Sequence, residues 1–223
     1  MFLSDKKELA QLEEVKENLK KKELAQLEEV KENLKNYYFI VVMDLCSSSV
    51  ILEKLQNSGN IKVWRKLWKS IFNTLSRNPY FSLRCKPYKF VGDGFIILYR
   101  HQFADSLYEF MEKGNKIFCN TLEKILKEYK IEPKRFGFAY GIDRGRLIHM
   151  NLLGKHEYMG EAINAAVRLQ GQLKAAEDAN SIMISDNVFK MIKVPENVRQ
   201  AERNCVLRNL YDDKELKCRQ IWL

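Results

Sequence analysis

The apolar positions change rhythm once, near residue 36. Before it, the 15-residue segment KKELAQLEEVKENLK fills Lys6–Lys20 and again Lys21–Lys35 without a change. Leu9, Leu12, Val15, Leu19, Leu24, Leu27, Val30 and Leu34 form a stripe at helical spacing among strong helix formers, which predicts one long amphipathic helix. Fifteen residues over four turns is about 3.75 per turn, so the stripe drifts in the right-handed sense and is no simple heptad zipper. Such a helix suits dimerisation or docking, and residues 1–36 are read as a unit separate from 37–223.

From Tyr37 the run YYFIVVM predicts a strand buried on both faces, ending at Asp44. A helix follows Cys46-Ser47-Ser48-Ser49, and a second carries Trp64, Leu67, Trp68, Ile71, Phe72 and Leu75 toward a core before Asn78-Pro79 ends it. Lys89-Phe90-Val91-Gly92-Asp93-Gly94-Phe95-Ile96-Ile97-Leu98 reads as a tight β-hairpin with an acid at its tip. A long helix is expected from Phe103 to Tyr129 and a strand from Phe136 to Ile142. Asp143-Arg144-Gly145 is read as a turn into a hairpin partner at Arg146–Met150. A helix from Glu161 to about Ala176 places Asn164 and Arg168 four apart on one face. A strand at Ile182–Ile184, a short helix after Asp186, a basic segment through Arg203, Arg208 and Asn209, and a closing strand from Lys217 complete the chain.

Composition narrows the class. With 46% hydrophobic residues over 223 positions, the chain holds enough apolar mass for one full-sized domain plus an appendage. No apolar run approaches the roughly 20 residues that cross a bilayer, and the first residues lack a signal-peptide core, so a cytoplasmic protein without membrane insertion is expected. Five scattered cysteines with no Cys-x-x-Cys pair argue against a disulfide framework or a zinc site and are read as reduced thiols. Lys and Glu cancel within the repeats, so the net charge of +9 belongs to the rest of the chain and suits an anionic partner such as a nucleoside triphosphate. Basic residues are not interleaved with aromatics, and no stable nucleic-acid complex is expected.

Individually the polar candidates have plain readings. Asp93 is a turn residue, Asp44 and the serines after it suit a helix start, and His149 is a packing residue. Asn164 and Arg168 read as a surface amide and a surface guanidinium, although such a pair is also able to hold a phosphate.

Their order is more specific. FIVVMDLCSS at Phe39–Ser48, KFVGDG at Lys89–Gly94, YGIDRG at Tyr140–Gly145 and YMGEAINAAVRL at Tyr158–Leu169 together resemble the class III nucleotidyl cyclases, over most of the chain from Phe39 to about Phe189. The resemblance implies a ferredoxin-like α+β fold, an antiparallel sheet with helices on one face, here preceded by the long N-terminal helix. It implies a homodimer with shared active sites. Asp44 and Asp93 of one subunit hold two divalent cations, Mg²⁺ or Mn²⁺, while Asn164 and Arg168 of the other orient the ribose and stabilise the transition state. Cys46, Ser47, Ser48 and Gly94 are expected at the phosphates, and Lys89 and Glu157 at the base. The pair Lys89/Glu157 meets neither the adenylate nor the guanylate pattern in full. The compact tail is similar to that of stand-alone bacterial pyrimidine cyclases of Pycsar anti-phage systems, which implies cUMP or cCMP made for a separate cyclic-nucleotide-sensing effector. An adenylate cyclase is the second expectation, and a non-catalytic nucleotide- or RNA-binding module the third.

Overall fold

In a computed structural model, residues 16, 17, 19, 20, 36–208, 210 and 215–223 are described. Of the repeated N-terminal segment, Lys16, Glu17, Leu19 and Lys20 are helical and exposed. The rest of the expected helix lies outside the described residues. The chain divides into Met1–Tyr37 and Tyr38–Leu223, and the second unit carries the architecture that follows.

The apolar run after Asn36 forms β1 (Tyr37–Leu45), whose residues from Phe39 to Met43 are all buried. Helices α1 (Ser48–Asn57), α2 (Ile61–Arg77) and the single-turn α3 (Pro79–Ser82) lead to the hairpin β2 (Cys85–Phe90) and β3 (Gly94–Arg100). A 3₁₀ turn at His101–Ser106 precedes α4 (Leu107–Glu128). The expected helix thus begins at Leu107 rather than Phe103, because Phe103 has φ −107°, ψ 23° and breaks the helical path. Strand β4 (Phe138–Arg146), the hairpin β5 (Ile148–Leu152) and β6 (Lys155–Met159), α5 (Glu161–Gln170), β7 (Ser181–Ser185), α6 (Asp186–Phe189), β8 (Gln200–Val206) and β9 (Glu215–Trp222) follow.

Seven strands make one sheet in the order β2-β3-β1-β4-β7-β9-β8, and β5-β6 stands apart as a two-stranded sheet. The large sheet is antiparallel at β1/β3, β2/β3, β7/β9 and β8/β9 and parallel at β4/β7. Side chains of adjacent strand residues point to opposite faces, and β1 feeds two cores accordingly. Phe39, Val41 and Met43 join Leu67, Ile71, Phe110 and Phe118 of α2 and α4 on one face. Ile40 and Val42 join Ala162 and Ala166 of α5 on the other.

Three local expectations change. Asp143-Arg144-Gly145 is no turn; β4 runs through it, because Asp143 is buried and accepts the Ser185 Oγ hydrogen bond at 2.7 Å. The hairpin lies at Ile148–Met159 instead, turning at Leu153 and Gly154, both with positive φ. Phe72, expected in the core, is 43% exposed, and α5 ends at Gln170 rather than near Ala176.

The position of α5 depends on Gly141. A Cβ there would stand 2.1 Å from the Ala166 carbonyl oxygen and 2.3 Å from the Gln170 nitrogen, both backbone atoms of α5. Gly141→Ala is expected to destabilise the domain by about 2–3 kcal/mol, a fall of ~5–10 °C in melting temperature by calorimetry.

Candidate active site

Two acids meet where β1 ends. Asp44 pairs with Gly94 in the β1/β3 register, and the next N–H, of Leu45, donates to the Asp93 carbonyl at 3.0 Å. The turn before β3 is closed by Val91 N–H donating to the Gly94 carbonyl at 3.0 Å and Asp93 N–H to the Val91 carbonyl at 2.8 Å. Gly92 takes positive φ there. The tip of the hairpin therefore holds Asp93 against Asp44 through the main chain, and the carboxyls hydrogen-bond each other. Ser48 Oγ, at the first position of α1, donates to Asp93 Oδ2.

Burial, then the charge and hydrogen bond of Asp93, push the Asp44 carboxyl up to about 7, while the Arg135 charge and the Gln170 side-chain amide pull it down. Two carboxylates held this close repel unless a proton or a cation lies between them. That is the condition a hard divalent cation relieves, and Mg²⁺ is commonly held by one or two carboxylates, with waters and substrate phosphate oxygens completing the shell. Asp44 and Asp93 fit this role; among the described residues no cluster of three or more His, Cys, Asp or Glu offers another.

A measurable consequence concerns the metal-free protein. An acid whose pKa is raised on folding contributes its full stability below 3.8 and loses it as pH rises through about 7. In EDTA, the melting temperature is expected to fall between pH 5 and pH 8 through this pair. Mn²⁺ should reverse the fall, and Asp44→Asn should flatten it. An Asp44→Asn profile as steep as that of the parent would remove the pair as the cause.

The expected phosphate loop is only partly open. Ser47 takes the left-handed conformation, φ 57°, and caps the start of α1, whose first-turn N–H groups have no partner within the helix. Cys46 is otherwise engaged: its N–H donates to the Gly137 carbonyl at 3.0 Å, and burial pushes its thiol up to about 11, so it is neutral. Gly94, expected to leave room for phosphate, is needed for packing instead, since a Cβ there would lie 1.8 Å from the Met43 carbonyl oxygen.

A second cluster joins β2 to β6. Lys89 Nζ lies 3.3 Å from Glu157 Oε2, and Tyr88 Oη donates to the same oxygen at 2.5 Å while accepting the Tyr158 N–H at 2.9 Å. These contacts hold the Glu157 carboxyl below its usual range, the Tyr88 hydrogen bond first and Lys89 next. The expected base pair, Lys89 and Glu157, is thus brought together within one chain. Sequence reasoning missed Tyr88, as it missed Gln170 and Arg135 beside Asp44; each looks like an ordinary element or loop residue in the sequence.

Asn164 and Arg168 are placed differently. They share the outer side of α5, Asn164 exposed and Arg168 half-buried with its Nη1 enclosed and without a hydrogen-bond partner. No hydrogen bond or ion pair among the described residues links either of them to Asp44 or Asp93.

No protein-family model and no curated protein matches the sequence. Solved structures do match in fold. The guanylyl cyclase Cya2 superposes with a TM-score of 0.61 at 14% identity, over 83% of this chain and 91% of its own. The adenylyl cyclase CyaB from P. aeruginosa gives 0.64 at 13% identity over 83% and 93%. An adenylate cyclase from Trypanosoma brucei in its monomeric state gives 0.57 at 14% over 83% and 88%. The chain therefore has the α+β fold of the class III adenylyl and guanylyl cyclase domains.

Proposed function

We propose that the protein is a metal-dependent nucleotidyl cyclase that converts a nucleoside triphosphate into a 3′,5′-cyclic nucleotide and pyrophosphate. The observation that carries the reading is the Asp44–Asp93 pair, fixed by main-chain hydrogen bonds at the end of a central strand and beside a helix start. Asp44 and Asp93 hold the divalent cations, which when bound supply Lewis-acid activation of the ribose 3′-hydroxyl and charge neutralisation at the triphosphate. The 3′-oxygen gives its proton to solvent water and bonds to the α-phosphorus as the bond from that phosphorus to the bridging oxygen breaks. The electron pair leaves with pyrophosphate.

Asn164 and Arg168 act on the ribose and on charge developing at the α-phosphoryl oxygens, from a second copy of the chain. Their lack of any hydrogen bond or ion pair to the carboxylates among the described residues is consistent with a site shared across a homodimer. So are the exposed apolar side chains of the β5-β6 hairpin, with Ile148 62% and Leu152 50% exposed. Among the described residues no helix is long and apolar enough to cross a membrane.

The base is read by Lys89 and Glu157. We read their ion pair, with Tyr88 hydrogen-bonded to the same carboxylate, as favouring a pyrimidine, giving cUMP or cCMP for a separate effector in Pycsar-like anti-phage signalling. Incubation with ATP, GTP, CTP and UTP in turn, with Mn²⁺, tests all of this. UTP or CTP turnover is the expected result, cAMP would identify an adenylate cyclase, and no pyrophosphate from any nucleotide would leave a binding module without catalysis. The N-terminal helix is assigned to dimerisation or docking; deletion of residues 1–35 with unchanged association and activity would overturn that assignment.

A further inference from the structure

The chain between α4 and β4 delivers one cation to the carboxylate end of the sheet. Arg135 belongs to no strand or helix, yet it is fixed at both its main chain and its side chain. Its backbone N–H donates to Ser47 Oγ at 3.2 Å, and two residues on, the Gly137 carbonyl accepts the Cys46 N–H at 3.0 Å. The connector is thereby fastened to the turn that starts α1. Its guanidinium reaches the segment that follows α5, where Nη2 donates to the Leu173 carbonyl at 3.1 Å.

This leaves the guanidinium underused. Its Nε is enclosed and has no hydrogen-bond partner. Its charge is felt at both Asp44 and Cys46, at the end of β1, but no ion pair joins it to a carboxylate among the described residues. A fork of donors, permanently charged and held rigid by neighbouring backbone, suits the oxygens of a polyphosphate better than it suits one carbonyl.

We propose that Arg135 is a phosphate-binding residue of this site, its guanidinium taking the terminal phosphates of the triphosphate where they pass the Cys46–Ser48 turn. This rests on the cyclase reading for the identity of the ligand. The first-turn N–H groups of α1 supply oriented donors, and Arg135 supplies the positive charge that Asp44 and Asp93 lack. The same contact retains pyrophosphate after cyclisation, so Arg135 governs product release as well as substrate capture.

The test uses the full chain with Mn²⁺ and inorganic pyrophosphate as the probe, measured by calorimetry beside steady-state kinetics. Arg135→Gln keeps a donor for the Leu173 carbonyl and removes the charge, and it should weaken pyrophosphate binding about tenfold or more. Arg135→Lys, which keeps the charge without the fork, should recover part of the loss. KM for the triphosphate should rise more than kcat falls, with the melting temperature near that of the parent. A structural anchor alone would lower the melting temperature and leave pyrophosphate affinity intact. Pyrophosphate binding that is absent in the parent, or unchanged in Arg135→Gln, overturns the inference. If Arg135→Gln loses pyrophosphate while the parent turns over none of the four nucleotides, the cyclase reading fails and the phosphate site stands. If the parent cyclises and the variant keeps both its KM and its pyrophosphate affinity, only the role of Arg135 fails.

Discussion

Asp93→Ala is expected to abolish cyclic-nucleotide formation, with kcat lower by about three orders of magnitude, on the scale of losing a preorganised charge from a phosphoryl-transfer site. The fold should survive the change. Asp93 sits in a turn, its N–H and carbonyl engaged through the main chain with Val91 and Leu45, and neither bond needs the side chain. Burial is the larger cause of the raised Asp44 pKa, but loss of the Asp93 carboxylate relieves the repulsion that adds to it, so the variant should melt at or above the parent temperature at pH 8 in EDTA. Activity and stability then move in opposite directions, which separates a catalytic loss from a folding defect. An Asp93→Ala protein that retains more than a tenth of the parental rate would contradict the assignment of this pair to the metals.

The second large effect is a gain. Arg168→Ala should be inactive alone, because the proposed shared site draws its guanidinium on α5 from the subunit that does not supply the carboxylates. Mixed in equal amounts with Asp93→Ala and allowed to exchange subunits, it should recover activity. Half of the randomly assorted dimers are mixed, and each mixed dimer contains one intact site of two, so the plateau is about a quarter of the parental rate. The requirement for slow exchange gives a second readout, since the recovered rate should grow with incubation time and with protein concentration. A mixture that stays inactive after sedimentation has shown mixed dimers would place Arg168 and Asp93 in the same half of the molecule.

Much of this arrangement was legible in the sequence where local chemistry and packing agree. The run from Tyr37 to Met43 is apolar without alternation because both faces of β1 are covered, and the Gly92-Asp93-Gly94 turn follows from backbone requirements that few residues meet. Legibility failed where long-range contacts override local preference. Asp143-Arg144-Gly145 has turn composition, yet Ser185 of the neighbouring strand satisfies the buried Asp143 and keeps β4 extended. Strand β8 was invisible because an edge strand with one buried residue, Cys205, has no apolar rhythm. Arg203 of the segment read as basic is bonded across the ladder to Gln220, and Arg219 of β9 bonds back to Glu202 of β8. In the site, residue types with strong chemistry were found, while Tyr88, Gln170 and Arg135 have meaning only through what the fold places beside them.

The close passage of β3 over β1 at Gly94 bears on how such a protein diversifies. The spacing of Asp44 and Asp93 is written in main-chain contacts, with no side chain whose replacement would lengthen or shorten it. The Lys89–Glu157–Tyr88 cluster is held mainly by side chains, with the Tyr158 N–H as a main-chain anchor, between an edge strand and a separate two-stranded sheet. On the proposed assignments, base choice is thus open to change by a few substitutions at that edge, while the carboxylate pair keeps its geometry.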